Sequence, residues 1–341
     1  MGVTIKDIAE RANVSSATVS RHINRSGYVS QQARQRIEAV IEELNYRPNW
    51  TARSLRRGRS FTIGLIIPSI LNVYYTAVAT SLFEHLNRRG YNVMIQISDE
   101  NAEKELELLR VLQERKVDGI IYAPAADGDN SDYVRNLVAS GMPMIELNRQ
   151  RLPDLLDAVL ADNFQGGYLA TEHLLRLGHR HIALIVGGMQ LVTARDRLAG
   201  YQKALADYGV PCAPELVKSG HFTRSWGVQA TETVLGLSPR PTAIFAGSNL
   251  VLMGTMQALA AHCIRVPDDM SIVSFDDSDW LSFWQPPITT VDIAIDEMGA
   301  LAVDLILKRI EEGKPAEQPR AYHLPVRLIE RSSCHPIDRP D

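Results

Sequence analysis

Two sets of residues in this 341-residue chain have the types and spacing to do chemistry. The first lies near the N-terminus. Ser16, Ala17, Ser20, Arg21 and Asn24 fall on one side of a short helical pattern whose other side carries Val19 and Ile23. Small hydroxyl and methyl groups with one arginine suit a DNA major groove, which must be entered closely for base edges to be read. A plain helical bundle with a solvated polar face has the same pattern. The second set is spread over the rest of the chain: Tyr74, Tyr75, Arg149, Thr193, Arg197, Phe222, Ser248, Asn249 and Asp276. Rings stack on the C–H faces of a sugar, and charged groups hold its hydroxyls through charge-assisted hydrogen bonds.

Catalytic constellations are absent from the sequence. It has no GxxxxGK[ST] phosphate loop, no GxSxG elbow and no HExxH pair. Asp276-Asp277 has no nucleophile beside it in sequence, and His179 and His181 lack metal-ligand spacing and are expected at the surface. No cofactor, metal or enzymatic activity is expected. A sugar-acting enzyme is the rival class, and it would turn over the ligand it binds.

The elements that must position these residues are of two kinds. Formal net charge is −4, but residues 1–60 hold eleven Lys/Arg against five Asp/Glu, so a +6 head precedes a −10 body. This asymmetry points to a nucleic-acid module on an acidic globular body. In the head, Thr4 with Asp7 three residues on forms a near capping box for a helix with Ile5, Ile8, Ala9 and Ala12 on one face. Asn13 suits a left-handed turn. Ser15 caps a second helix over 16–24, and Ser30 a third over 31–44 with Ala33, Ile37, Val40, Ile41 and Leu44 inward. Pro48 is expected to end that third helix. Two short helices, a tight turn and a supporting helix make a helix-turn-helix unit. Asn49 can cap a short helix over 50–57 that carries Arg53, Arg56 and Arg57. Leu55 there has little to pack on, as a residue inserted at a DNA base step would. A charged linker is the other reading of the same segment.

From Phe61 the pattern alternates strand and helix. Apolar runs FTIGLIIP, YNVMIQI, VDGIIYAP and MPMIELN are followed by HIALIVGG, PTAIFAGS and MSIVSFDD. Helices are expected between them, among others over 76–89, 195–208 and 252–262. Strands apolar on both faces and separated by helices indicate two open parallel α/β sheets. Ligands of such sheets bind beyond the carboxyl ends of the strands, and in a two-lobed body they bind between the lobes. The strand ends select the second set above, with Asn72, Arg195, Trp226, Trp280, Phe283 and Trp284 nearby. Core packing explains each aromatic residue equally well, a helix cap explains Asp276-Asp277, and pairing with Asp196 explains Arg197. Arg149, Arg195 and Arg197 leave room for an anionic ligand.

Two segments carry a resemblance. VTIKDIAERANVSSATVSRHIN, followed by YVSQQARQRIEAVIEELNYRPNWTARSLRRG, resembles the DNA-binding head of the lactose-repressor (LacI/GalR) family of bacterial transcription regulators. TARDRLAGY and IVSFDD resemble effector-site segments of that family. The resemblance implies base readout by Ser16, Ala17 and Arg21. It implies phosphate positioning by Thr4, Ser15, Ser20, Asn24, Ser30 and Asn49, DNA proximity for Tyr28 and Tyr46, and a minor-groove wedge at Leu55. Thr18 of TVSR and Ala52 of ARSL join that DNA-binding set. For the body it implies effector contacts from Tyr74, Tyr75, Arg197, Phe222 and Asp276. Two departures are His22, where the family has an aliphatic residue and which is expected to face inward, and Ser248-Asn249, where it has Asn-Asp.

The expected architecture is an α helix-turn-helix head on an α/β two-lobed, periplasmic-binding-protein-like body. Residues 1–46 form the head and 47–60 the hinge helix and linker. The first lobe takes 61–160 and 292–322, the second 161–291 and 323–334, and 335–341 form a disordered tail. The expected function is a homodimeric transcription regulator, a repressor, on double-stranded operator DNA under a small sugar or sugar-acid effector. An activator or corepressor-dependent regulator is the alternative, and a periplasmic-type sugar-binding protein the more distant one. Cys212, Cys263 and Cys334 form no CxxC pair, the charged N-terminus resembles no signal peptide, and no apolar run reaches membrane-spanning length. A cytoplasmic protein with no membrane partner is expected.

Overall fold

Thr4 starts the first helix, α1 (Ile5–Arg11), with a complete capping box. The Asp7 N–H donates to Thr4 Oγ1 at 3.4 Å, and the Thr4 N–H donates to Asp7 Oδ2 at 2.7 Å. Aspartate thus does the work of the usual glutamate. Asn13 takes φ 50°, a left-handed value that asparagine tolerates better than most residues. It turns the chain into α2 (Ser16–Asn24), where the Thr18 N–H donates to Ser15 Oγ at 3.1 Å. Ser30 caps α3 (Gln31–Glu43). Ile8, Ala9, Ala12, Val19, Val29, Ala33, Ile37 and Val40 form the head's core. Asn45, at φ 46°, ends α3. The left-handed residue stops the helix before the proline restriction at Pro48 can act, a correction to the expected stop signal.

The computed structural model describes residues 3–24, 27–46 and 59–337. The hinge segment and its candidate residues Asn49, Ala52 and Leu55, and the side chain of Asn24, lie outside the described residues. The head (Met1–Ser60) and the body (Phe61–Asp341) are separate compact units.

The body holds two six-stranded sheets. The first has the order β11-β5-β4-β3-β1-β2, from β1 (Thr62–Ile67), β2 (Asn92–Ile97), β3 (Gly119–Tyr122), β4 (Met144–Leu147), β5 (Asp157–Ala161) and β11 (Ala321–Leu324). The second has the order β12-β10-β9-β8-β6-β7, from β6 (Ile182–Val186), β7 (Val217–Ser219), β8 (Ala243–Ala246), β9 (Ser271–Phe275), β10 (Thr289–Ile293) and β12 (Val326–Ile329). All first-sheet pairs are parallel. In the second sheet β12 runs antiparallel to β10, because a chain arriving from the first sheet enters at an edge with no helical crossover to reverse it. The two open sheets are otherwise parallel, as expected, with this one antiparallel edge strand. The chain changes sheet after β5, after β10 and after β11, where Pro325 separates the last two strands.

Helices connect these strands: α4 (Val73–Arg88), α5 (Ala102–Glu114), α6 (Ser131–Ala139), α7 (Asn163–Arg176), α8 (Val192–Asp207), α9 (Arg224–Leu235), α10 (Asn249–Ala261), α11 (Asp279–Phe283) and α12 (Ile295–Glu312). Helices α7 and α8 touch backbone to backbone. A Cβ on Gly200 would stand 2.1 Å from the Phe164 carbonyl oxygen, and one on Gly167 would stand 2.3 Å from that of Arg197. Only glycine permits this approach. No helix among the described residues is long and apolar enough to cross a membrane.

Two further expectations change. His179 is buried, with Nδ1 2.8 Å from Thr242 Oγ1 and Nε2 3.1 Å from the His335 carbonyl oxygen. Burial pushes its pKa down to about 4. The tail expected to be disordered over 335–341 begins as ordered chain: the His335 N–H donates to Ser271 Oγ at 2.9 Å and the Ile337 N–H to the Leu177 carbonyl at 2.8 Å. These bonds satisfy backbone groups at the edge of the second lobe.

Candidate functional site

In the head, α2 presents Ser16, Ala17 and Arg21 to solvent, with Thr18 and Ser20 half-buried. Tyr28 is 86% exposed, with no apolar reason to be so. Thr4, Ser15 and Ser30 are exposed at helix starts while serving as caps. A helix N-terminus adds its own N–H groups and positive dipole end toward a phosphate. Tyr46 packs half-buried against the head's core. His22 faces α3, with Nε2 3.6 Å from Glu38 Oε1, so it serves the head's interior side as expected.

In the body, a cleft of about 210 Å3 opens between the two sheets. Tyr74, Tyr75 and Arg149 line it from the first lobe, and Thr193, Arg197, Phe222, Ser248 and Asp276 from the second. Asn249 does not line it. Its Nδ2 donates to Ser278 Oγ at 3.1 Å and its backbone N–H supports Asp276, so it acts behind the wall.

The first-lobe wall is a hydrogen-bonded unit. Tyr74 and Tyr75 occupy the first turn of α4, rings edge to face at 5.1 Å. Asn148, at the end of β4, joins them: the Tyr74 hydroxyl donates to Asn148 Oδ1 at 3.1 Å, and Asn148 Nδ2 donates to the Tyr75 hydroxyl oxygen at 3.0 Å. Burial raises both tyrosine pKa values, so both hydroxyls stay neutral. Arg149 donates to both oxygens of Glu100, at 2.6 and 2.7 Å, and to the Pro124 carbonyl at 2.9 Å. Burial works against its charge, but Tyr75 and Glu100 outweigh that and raise its pKa.

The second-lobe wall is centred on Arg197. Its Nε donates to Asn163 Oδ1 at 2.9 Å, and Nη1 donates to the Gly247 carbonyl. The guanidinium lies 3.6 Å from the centroid of the Phe275 ring and 5.5 Å from that of Phe222. Nη2 stands 3.9 Å from Asp276 Oδ1. Burial lowers the Arg197 pKa and raises that of Asp276, each opposed by the other's charge. Asp276 has φ 72°, which turns its side chain at the end of β9. Ser248 caps α10 by accepting from the Val251 N–H at 3.3 Å.

Several other candidates are placed elsewhere. Arg195 holds the Met189 and Gln190 carbonyls on the exposed side of α8. Asp277 pairs with Arg331 at 2.8 Å. Trp226 donates to the Val186 carbonyl, and Trp280 packs edge to face on Trp284. The sequence reading missed Asp99, Glu100, Asn148 and Asn163. Asp99 and Glu100 follow β2, so the strand-end rule finds them once it is applied to that strand too. Asp99, Glu100, Asn148 and Asp276 all have left-handed φ angles, between 53° and 72°. Four non-glycine residues in that region around one cleft suggest local strain held by the surrounding bonds. Among the described residues no cluster of His, Cys, Asp or Glu could hold a metal ion.

The comparisons with known proteins cover both units. Residues 4–49 match the model of bacterial regulatory proteins of the lacI family, and residues 171–334 that of a periplasmic binding protein-like domain. The chain is 31% identical over 340 residues to the HTH-type transcriptional repressor PurR of Actinobacillus pleuropneumoniae, covering 98% of this chain and 99% of that protein. It is 32% identical over 334 residues to the ribose operon repressor of Haemophilus influenzae, with 98% and 99% covered. A crystal structure of the lac repressor dimer bound to operator and the anti-inducer ONPF superposes with a TM-score of 0.82 at 29% identity, covering 98% of this chain and 100% of that one.

Proposed function

This chain belongs to the lacI family of bacterial regulatory proteins and is a DNA-binding transcription regulator, not an enzyme; on that premise we propose that it represses as a cytoplasmic homodimer on a pseudo-palindromic operator, released or engaged by a neutral sugar in the inter-lobe cleft. The exposed α2 face reads bases through Arg21, Ser16 and Ala17. The capping residues Thr4, Ser15 and Ser30 set phosphate register. Residues 47–60 link head to body, and Leu55 acts as the minor-groove wedge.

One observation carries the ligand class: both arginines of the cleft wall arrive already engaged, Arg149 by Glu100 and Arg197 beside Asp276. With Arg195 turned away, both cations that line the cleft among the described residues stand beside a carboxylate. Aromatic faces with charged groups on their edges suit the C–H and hydroxyl surfaces of a sugar. Ligand binding across the two lobes changes how they sit together, and through the three crossings it biases the hinge and heads. Linkage requires operator DNA to change sugar affinity by the same factor that sugar changes DNA affinity.

The test is calorimetric titration of neutral aldoses, aldonates and sugar phosphates, paired with operator binding by fluorescence anisotropy with and without each ligand. A neutral aldose is expected to bind most tightly and to shift operator affinity. Tighter binding of an aldonate would overturn the neutral class, and an operator affinity indifferent to every ligand that binds would overturn the linkage.

A further inference from the structure

We propose that Glu100 sets the charge preference of the cleft, admitting neutral hydroxylated ligands and turning away anionic ones. The inference rests on the sugar-class reading above and names the residue that enforces it.

Glu100 stands just beyond β2, in a stretch where two consecutive residues, Asp99 and Glu100, take φ values of 53° and 60°. Left-handed backbone at a residue with a side chain is disfavoured and persists where the surroundings hold it. Here the holding contacts converge on the Glu100 carboxylate. Oε2 accepts from the Ala126 N–H at 2.9 Å and from Arg149 Nη1 at 2.6 Å, and Oε1 accepts from Arg149 Nη2 at 2.7 Å.

The pair is asymmetric toward the cleft. The Arg149 side chain is 5% exposed and that of Glu100 35%. Arg149 Nη1 is taken up by Pro124 as well, and Nε is enclosed without a partner. The carboxylate is therefore the half that faces a ligand. Oε1 accepts the one bond from Arg149, so a lone pair remains for a ligand hydroxyl. Asp276 adds a second carboxylate to the lining, beside Arg197, while Asp99 is paired with Lys104. An anionic ligand meets a like charge at the wall, the repulsive element from which specificity is commonly built.

The test uses the full chain. Ribose, glucose and galactose are titrated against ribonate, gluconate and galactonate in wild-type protein, Glu100→Gln, Arg149→Gln and the double variant, with far-UV circular dichroism confirming the fold. Wild-type protein is expected to prefer an aldose over its aldonate by tenfold or more. Glu100→Gln should shrink or reverse that ratio by at least tenfold, and adding Arg149→Gln should restore it. Arg149→Gln alone, which leaves the carboxylate unpaired, should sharpen the aldose preference and serves if Glu100→Gln does not fold. A wild-type aldose preference that stays put in a folded Glu100→Gln, or one that moves toward the aldonate in Arg149→Gln, overturns this inference alone. Wild-type protein that binds neither class overturns the sugar reading, and this inference with it.

Discussion

The head and the body recognise their ligands with opposite treatments of polar groups. In the head, Arg21, Ser16 and Tyr28 stand in water. In the body, Arg149, Arg197, Asp276 and Ser248 are buried, each within a set of partners. A polyanion attracts exposed cations over distance, and its binding is driven largely by counterion release. A small ligand offers no such field. Its site must hold charges in a low-dielectric wall, where an unpaired one costs several kcal/mol. Arginine is thus exposed to solvent at Arg21 of one unit and a fixed structural member at Arg149 and Arg197 of the other.

Substitutions can break that comparison, and the largest effect is expected at the deepest charge. Arg197→Ala leaves Asp276 buried without its counter-charge and should destabilise the protein by about 3–5 kcal/mol. Urea denaturation measures this, and a loss under 1 kcal/mol would mean the pair is not held as described. Sugar binding should disappear in the same variant.

A second buried charge has a pH signature. Glu146 is fully buried at the end of β4, accepting from the backbone N–H groups of Arg151 and Leu152 and from the Tyr122 hydroxyl. Burial pushes its pKa from 4.5 up to about 7. Between those values the folded state holds a proton that the unfolded state has released. This contribution to stability is therefore complete below about pH 4.5 and is lost as pH rises through 7, on the order of 3 kcal/mol in all. Glu146→Gln should flatten the fall in stability between pH 5 and 8, and an unchanged slope would assign it to another group.

The exposed unit should respond in binding rather than folding. Arg21→Ala is expected to cost about 1–3 kcal/mol of discrimination between operator and random DNA, while salt-dependent binding remains. Anisotropy titrations at several salt concentrations measure both, and a uniform loss on both DNAs would make Arg21 a phosphate contact. The smallest effect is at Thr4. Thr4→Ala removes the cap and should lower head stability by about 1 kcal/mol, read by chemical denaturation. No change would mean that Asp7 alone holds the helix start.

The helix boundaries show how far periodicity could be read. Three helices expected to start at residues 76, 195 and 252 begin at Val73, Val192 and Asn249. Each early turn borders the cleft and carries Tyr74-Tyr75, Thr193 or Ser248-Asn249 as its polar or aromatic content. Thr193 and Ser248-Asn249 interrupt the apolar repeat that marks a helix, while Tyr74 and Tyr75 belong to both the cleft wall and the core. Strand β5 was missed for a related reason: DAVLA is short, with polar Asp157 at its start to receive Arg309 at 2.6 Å.

The sequence by itself determined the division into a basic head and an acidic body, the head's three helices and, that of β2 aside, the strand ends that line the cleft. These follow from local rules: charge counts, capping residues, and side-chain periods of 3.6 and 2. Tertiary structure alone decided which cleft arginines are engaged, and by what. Glu100 and Arg149 are 49 positions apart, and Arg197 and Asp276 are 79 apart. No local period links them. Their pairing depends on strands β2, β4 and β9 ending at one cleft and on glycine contacts that bring α7 against α8. Three arginines near strand ends left room in sequence for an anionic ligand; the partners of Arg149 and Arg197, contributed by distant strands, are the support for the neutral class proposed above.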